Sequence, residues 1–270
     1  MTMRHLWFTA LPILALSAGC SANFDFQGDN LPARRTLNAK VTSPESPEIM
    51  VDFPQGSISV SPGEGRDVVV VLETRGVSDA ALAKINVDTK VEGKVVKIQW
   101  STSDSVYNNL SVSAKVTVPK DSALNLKTGA GAISAENFSK GLTALTGAGS
   151  IKVVDVTGKL SLESSAGEIQ AKGANGQVRA DSSAGAVHLS GTFSGDCLAQ
   201  SGAGEVVVRL STDSQVKVDA STGAGSAENG FGWPIQGTVN RSTGGTVGDG
   251  SKGTLKVHTG AGAIRVEKGN

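Results

Sequence analysis

Aromatic side chains are scarce in this chain, at 4% of its 270 residues. So few rings argue against a sugar-stacking cleft and leave the core to small aliphatic residues. Neither sign of charge dominates, with 25 basic and 25 acidic side chains. A nucleic-acid partner would need clustered Lys and Arg, so none is expected. The only cysteines are Cys20 and Cys197, too few for a disulfide framework. The N-terminal apolar run, Leu6–Leu16, falls short of the about 20 residues that a membrane-spanning helix needs. Glycine is the opposite case: 34 residues, roughly double the usual share.

Residues 1–19 have the layout of a signal peptide: Arg4 and His5, the apolar run, then "LSAGC". The small-small-Cys ending resembles a bacterial lipobox, in which Cys20 is acylated and becomes the mature N-terminus. Ser17 stands where that motif usually has Leu. The other reading is an ordinary secretory signal cleaved near Ala18 or Ala22, which would leave a 20–197 disulfide conceivable. Ser21 in place of Asp favours outer-membrane sorting in a Gram-negative cell. Residues 20–48, with Pro32, Pro44 and Pro47 among Ser, Asn and charges, read as a lipidated Cys and flexible tether.

Residues 49–126 alternate as strands in "GSISVS", "DVVVVLE", "KVVKIQW" and "LSVSAKVTVP". They predict a small β-rich lead-in unit, with one short helix over Ser78–Asn86 capped by Ser78.

From residue 127 to 270 one phrase recurs: "TGAGAISA", "TGAGSIKV", "SSAGEIQA", "SSAGAVHL", "SGAGEVVV", "TGAGAIRV". The glycines after each central small residue are 131, 149, 167, 185, 204, 225, 245 and 262, spaced by 18, 18, 18, 19, 21, 20 and 17 residues. A period near 18 is the signature of a solenoid. Seven places before these marks stand Leu124, Leu142, Leu160, Val178, Cys197, Val218 and Leu255. Two places after them stand Ile133, Ile151, Ile169, Val187, Val206, Ala227, Val247 and Ile264. Polar residues alternate with these columns, the period of a strand with one buried face. The expected fold is therefore all-β: a parallel β-helix (β-solenoid) of about 18 residues per turn. Each glycine phrase is a corner, where Gly takes positive φ without steric cost. The Ser/Thr column from Thr128 to Thr259 is expected to form a hydroxyl ladder, and Cys197 to act as a small buried hydrophobe. The stretch "AENGFGWPIQGTVNRSTGG" breaks the columns. Its Phe231 and Trp233 either form a ligand-binding loop leaving the rod or fold back to plug weakened rungs.

Chemistry is hard to find in these columns. The nonapeptide Gly-Gly-x-Gly-x-Asp of calcium β-rolls is missing. His188 and His258 are expected about four rungs apart, which excludes shared metal coordination. Glu168 and Glu205 share a column two rungs apart, a spacing typical of solvated surface. No nucleophile elbow and no phosphate loop with its Lys is found. No catalytic residue, cofactor or metal is expected.

The lipobox, the lead-in, "AKVTVPKDSALNLKTGAGAIS" and the serial "TGAGSIKV"-type phrases together resemble domain-of-unknown-function family 4097 over about residues 50–267. Its members are adhesin-like, β-strand-repeat bacterial envelope proteins. The resemblance implies a β-helix-like fold and an envelope location, and it supplies no catalytic residues. The expected function is a non-enzymatic, lipid-anchored surface binding or adhesion module, joined to the membrane by its N-terminal lipid and taking a protein or glycan ligand. The alternative is a periplasmic-facing structural or regulatory protein of the envelope. A final rung ending "AIRVEKGN" would leave an open edge for end-to-end self-association. A glycan-active enzyme would need acidic residues converging on one rung face, which the columns do not supply.

Overall fold

Every glycine corner passes the chain from one sheet to another, and the reason only glycine serves is visible at Gly149. Its φ is 150°, and a Cβ there would overlap the carbonyl oxygen of Gly131 in the neighbouring rung. The corners therefore stack backbone on backbone. Above each corner a buried hydroxyl closes the contact: Thr146 donates to the Gly131 carbonyl and Ser164 to the Gly149 carbonyl, both at 3.0 Å. The expected ladder is thus a set of bonds from hydroxyl to the next corner's carbonyl, not from hydroxyl to hydroxyl.

The structure is a computed structural model that describes residues 31–103 and 109–269. The chain enters through β1 (Ala33–Thr42) and lays down a rung of β2 (Glu48–Phe53) and β3 (Ser57–Gly63). An excursion follows through β4 (Asp67–Gly76), α1 (Asp79–Ala83) and β5 (Ile85–Glu92). A second rung is β6 (Val95–Thr102) and β7 (Leu110–Pro119). The glycine repeats then supply β8 (Ala123–Ala130) with β9 (Ile133–Glu136), β10 (Leu142–Ala148) with β11 (Ile151–Val154), and β12 (Leu160–Ala166) with β13 (Ile169–Gly176). They continue as β14 (Val178–Ala184) with β15 (Val187–Phe193), and β16 (Cys197–Ala203) with β17 (Val206–Leu210). Next come β18 (Lys217–Ala224) with β19 (Ala227–Asn229), then a hairpin of β20 (Ile235–Gln236) and β21 (Arg241–Thr246). The last rung is β22 (Thr254–Ala261) with β23 (Ile264–Lys268).

The result is all-β and solenoid-like: two large, mostly parallel sheets of 12 and 11 strands. Within the repeats the register advances by one period per strand, Leu142 beside Leu160 and Ile151 beside Ile169. The predicted apolar columns are buried in one continuous core, from Ile49 to Val266. Cys197 takes its place there with 3% exposure. Burial pushes the Cys197 thiol up from its ordinary value.

Several expectations are corrected. Residues 33–42, assigned to the tether, form β1 and pair antiparallel with β4 along their whole length. Residues 20–30 of that tether lie outside the described residues, as does the signal segment. The 49–126 region is not a separate lead-in, because β2 and β3 pair directly with β8 and β9 in the same two sheets. Gly56 is the corner of that rung, and the Thr128 hydroxyl donates to its carbonyl at 2.9 Å. The helix is shorter than predicted. Ser78 does cap it, accepting from the Ala81 amide at 3.3 Å, but Ile85 is already committed to pairing with β6.

The order of rungs is the larger surprise. Gly245 is not a corner; it lies in β21, antiparallel to β18. The last rung is not terminal either. β22 sits between β16 and β18, and β23 between β17 and β19. The hydroxyl bonds follow this spatial order: Thr259 donates to the Gly204 carbonyl and Thr222 to the Gly262 carbonyl, each at 2.9 Å. The other end mirrors it, with β2 held between β6 and β8. The final rung thus offers no open edge.

Two outcomes are expected. Gly167→Ala, forced to φ near 152° against the Gly149 carbonyl, should cost at least about 2 kcal/mol. Ser164→Ala, which strands that carbonyl, should cost about 1–3 kcal/mol; urea denaturation of both variants checks the pair. A chain ending at Gly253 should lose more than its final rung. Limited proteolysis with fragment mass analysis should find cleavage from about residue 211 onward, because β18 and β19 have lost their parallel partners.

Candidate functional site

Strand alternation turns one row of side chains outward from the 11-stranded sheet: Lys152, Gln170, His188, Val207, Arg265 and Glu228, in register across successive strands. The corner residues Glu168 and Glu205 flank that row. His188 reaches both of them, with Nδ1 3.2 Å from Glu168 Oε1 and Nε2 3.9 Å from Glu205 Oε2. Ala186, the short residue between the two glutamates in their column, leaves room for the ring. Glu205 also meets Arg265 at 3.0 Å, and Arg265 continues to Glu228 at 3.2 Å. Five charged or titratable side chains from consecutive rungs therefore form one ladder. Outward-facing Val207 is only 6% exposed, straddled by His188 and Arg265.

Each pair in this ladder is partly solvated and contributes about 0–1 kcal/mol. Its interest is positional. His188 Nε2 is buried without a hydrogen bond, since 3.9 Å is too long for one. A neutral imidazole donates to one carboxylate, and a protonated one offers an N–H to each side.

On the 12-stranded sheet, Ser221 Oγ lies 3.1 Å from His258 Nδ1, the serine half-buried and the histidine exposed. A nucleophile–base pair needs a third group to orient the base. The next residue along that column is Gln200, whose amide is committed to Asp181 at 2.7 Å. The pair is a surface hydrogen bond. The two histidines are on opposite sheets and two rungs apart, not four, because the last rung is inserted inward.

Phe231 and Trp233 fold back onto the end of the stack. Their rings stack at 4.5 Å between centroids and 9° between planes, and they pack on the core. Lys268 Nζ stands 5.5 Å from the Phe231 centroid. Asn229 holds the turn: its Oδ1 accepts from the Phe231 and Trp233 amides at 3.2 and 2.9 Å. Its Nδ2 donates to the Trp233 carbonyl at 3.0 Å and to Thr243 Oγ1 at 2.9 Å. Gly245 lies flat under the Trp233 indole, where a Cβ would collide with the ring. Cys20, the expected lipidation site, lies outside the described residues.

No family model matches this chain, and no curated protein matches it. Solved structures do. A proposed cell adhesion protein from Clostridium sporogenes is similar over 88% of this chain and 100% of its own, at 16% identity and a TM-score of 0.43. A proposed adhesin from Bacteroides fragilis is similar over 88% and 98%, at 16% identity and a TM-score of 0.42. A proposed adhesin from Parabacteroides merdae is similar over 87% and 97%, at 13% identity and a TM-score of 0.31.

The sequence columns align Glu168 with Glu205 but do not place a histidine between them, because His188 crosses from its own column into theirs. The signal was the Ala186 gap. Asn229 was seen only as a break in the pattern. Asn229→Ala should unpin the cap, costing about 2 kcal/mol and raising amide exchange at Phe231 and Trp233. Hydrogen-exchange mass spectrometry checks it; unchanged protection there would refute the pinning role.

Proposed function

We propose that the chain is a non-enzymatic, lipid-anchored protein of the bacterial envelope, a member of domain-of-unknown-function family 4097. Its parallel β-helix serves as a surface binding or adhesion module. The observation that carries the reading is the in-register ladder from Glu168 to Glu228, built by five consecutive rungs. A stack of this kind repeats side-chain positions at about 4.8 Å and holds them without a hinge. Such a surface suits recognition of an extended partner, and the segment ending at Cys20 supplies the anchor.

Protease shaving of intact cells carrying an epitope-tagged copy tests the placement, with a Cys20→Ala version alongside. The wild type should be shaved from cells and the variant released in soluble form. Resistance until the envelope is opened would overturn adhesion and favour the periplasmic-facing structural or regulatory reading.

A further inference from the structure

We propose that a cleft on the outer face of the 12-stranded sheet, crossed by Lys159, Arg179 and Lys256, binds an acidic oligosaccharide. The proposal rests on the binding-module reading and gives it a site and a ligand class.

The cleft has a volume of about 640 Å³ and opens beside the corner that the final rung enters. Arg179, Leu198 and Lys256 stand in register on β14, β16 and β22. Leu198 interrupts the polar column with a short apolar step, and the cations on either side are two rungs apart, about 10 Å. Lys159, just before β12, adds a third cation on the same side. Among the described residues, neither the Lys159 nor the Lys256 ammonium group has an ion-pair or hydrogen-bond partner, and both residues are exposed. Arg179 is held at 3.2 Å by Asp181. Asp219 neighbours Lys256 on the next strand. Asp196, the one carboxylate lining the cleft, is exposed and accepts from the Thr254 amide at 3.2 Å through Oδ1.

With Arg179 shared with Asp181, the two unpaired ammonium groups of Lys159 and Lys256 face the single lining carboxylate Asp196 and favour an anion. The Arg179 guanidinium presents a planar fork suited to a carboxylate or sulfate. Gln177, whose amide donates to the Asp196 carbonyl at 2.9 Å, keeps its side-chain oxygen for a hydroxyl. Leu198 offers a small apolar seat for a sugar C–H face. No aromatic ring lines the cleft, so a neutral sugar would lack the stacking platform that replaces charge. An extended chain with acidic groups every few bonds matches cations spread across successive rungs.

The test is a fluorescence-polarisation titration of the purified full-length chain with labelled oligogalacturonate and a heparin-derived hexasaccharide. Maltohexaose is the neutral control, and vesicles of phosphatidylglycerol provide a lipid arm. Acidic oligosaccharide should bind and weaken as salt rises, and Lys159→Gln/Lys256→Gln should lose at least about tenfold in affinity. Lys172→Gln, on the opposite sheet, should change it less than threefold. Equal loss in Lys172→Gln, equal binding of maltohexaose, no binding, or binding to vesicles alone would each overturn the proposal. Purified protein separates the two readings, since failure here removes the site while the shaving result still judges envelope placement.

Discussion

The structure depends on one contact: a glycine corner laid directly on the next, with a buried Ser or Thr hydroxyl closing on the carbonyl. It removes every Cβ from the turning point and satisfies an oxygen that the strands leave over. It also sets the register of the whole stack. Once Gly131, Gly149 and Gly167 superpose, Leu must follow Leu inward and charge must follow charge outward. The core of small aliphatic residues and the charged faces are two consequences of the same alignment.

A stack of parallel strands has two open ends, and open strand edges invite pairing with other chains. Both ends are handled in the same way. The rung nearest each end of the described chain is tucked one place inward, and an outer rung with an antiparallel cover completes the stack. At one end β4, β5 and β1 close the sheets. At the other, the short hairpin of β20 and β21 covers β18 in the 12-stranded sheet, while β19 remains the edge of the 11-stranded sheet, with Phe231 and Trp233 packed on the core beside it. The rings and the Asn229 network belong to this closure, which explains why the repeat pattern dissolves there.

With the core sealed and the ends covered, the outer columns are what remains to meet a partner. They are poor in aromatics and rich in charges held at the rung spacing. In the Glu168–His188–Glu205–Arg265–Glu228 ladder every charged side chain already has a neighbour of the row as its partner, and the row carries an excess of carboxylate. In the cleft on the opposite sheet Arg179 is paired with Asp181, but the Lys159 and Lys256 ammonium groups have no ion-pair partner among the described residues to compete with a ligand.

The period, the inward columns, the helix cap at Ser78 and the burial of Cys197 were legible in the sequence because each is local, repeating with the strand or the turn. The rung at Gly56 was not, since "DFPQG" lacks the repeat phrase and Phe53 replaces the hydroxyl residue; only its pairing with residues 123–128 reveals it. β1 was hidden in a Pro- and Ser-rich stretch and is a strand only because β4 lies beside it. Gly245 imitates the phrase but runs antiparallel. Sequence alone determined what each rung of the glycine repeat must look like, and that likeness makes those rungs interchangeable in the columns. Their order, and with it the His188 contacts and the cationic cleft, was decided by tertiary structure, where the antiparallel covers at each end leave the terminal rungs only an inner place to pair.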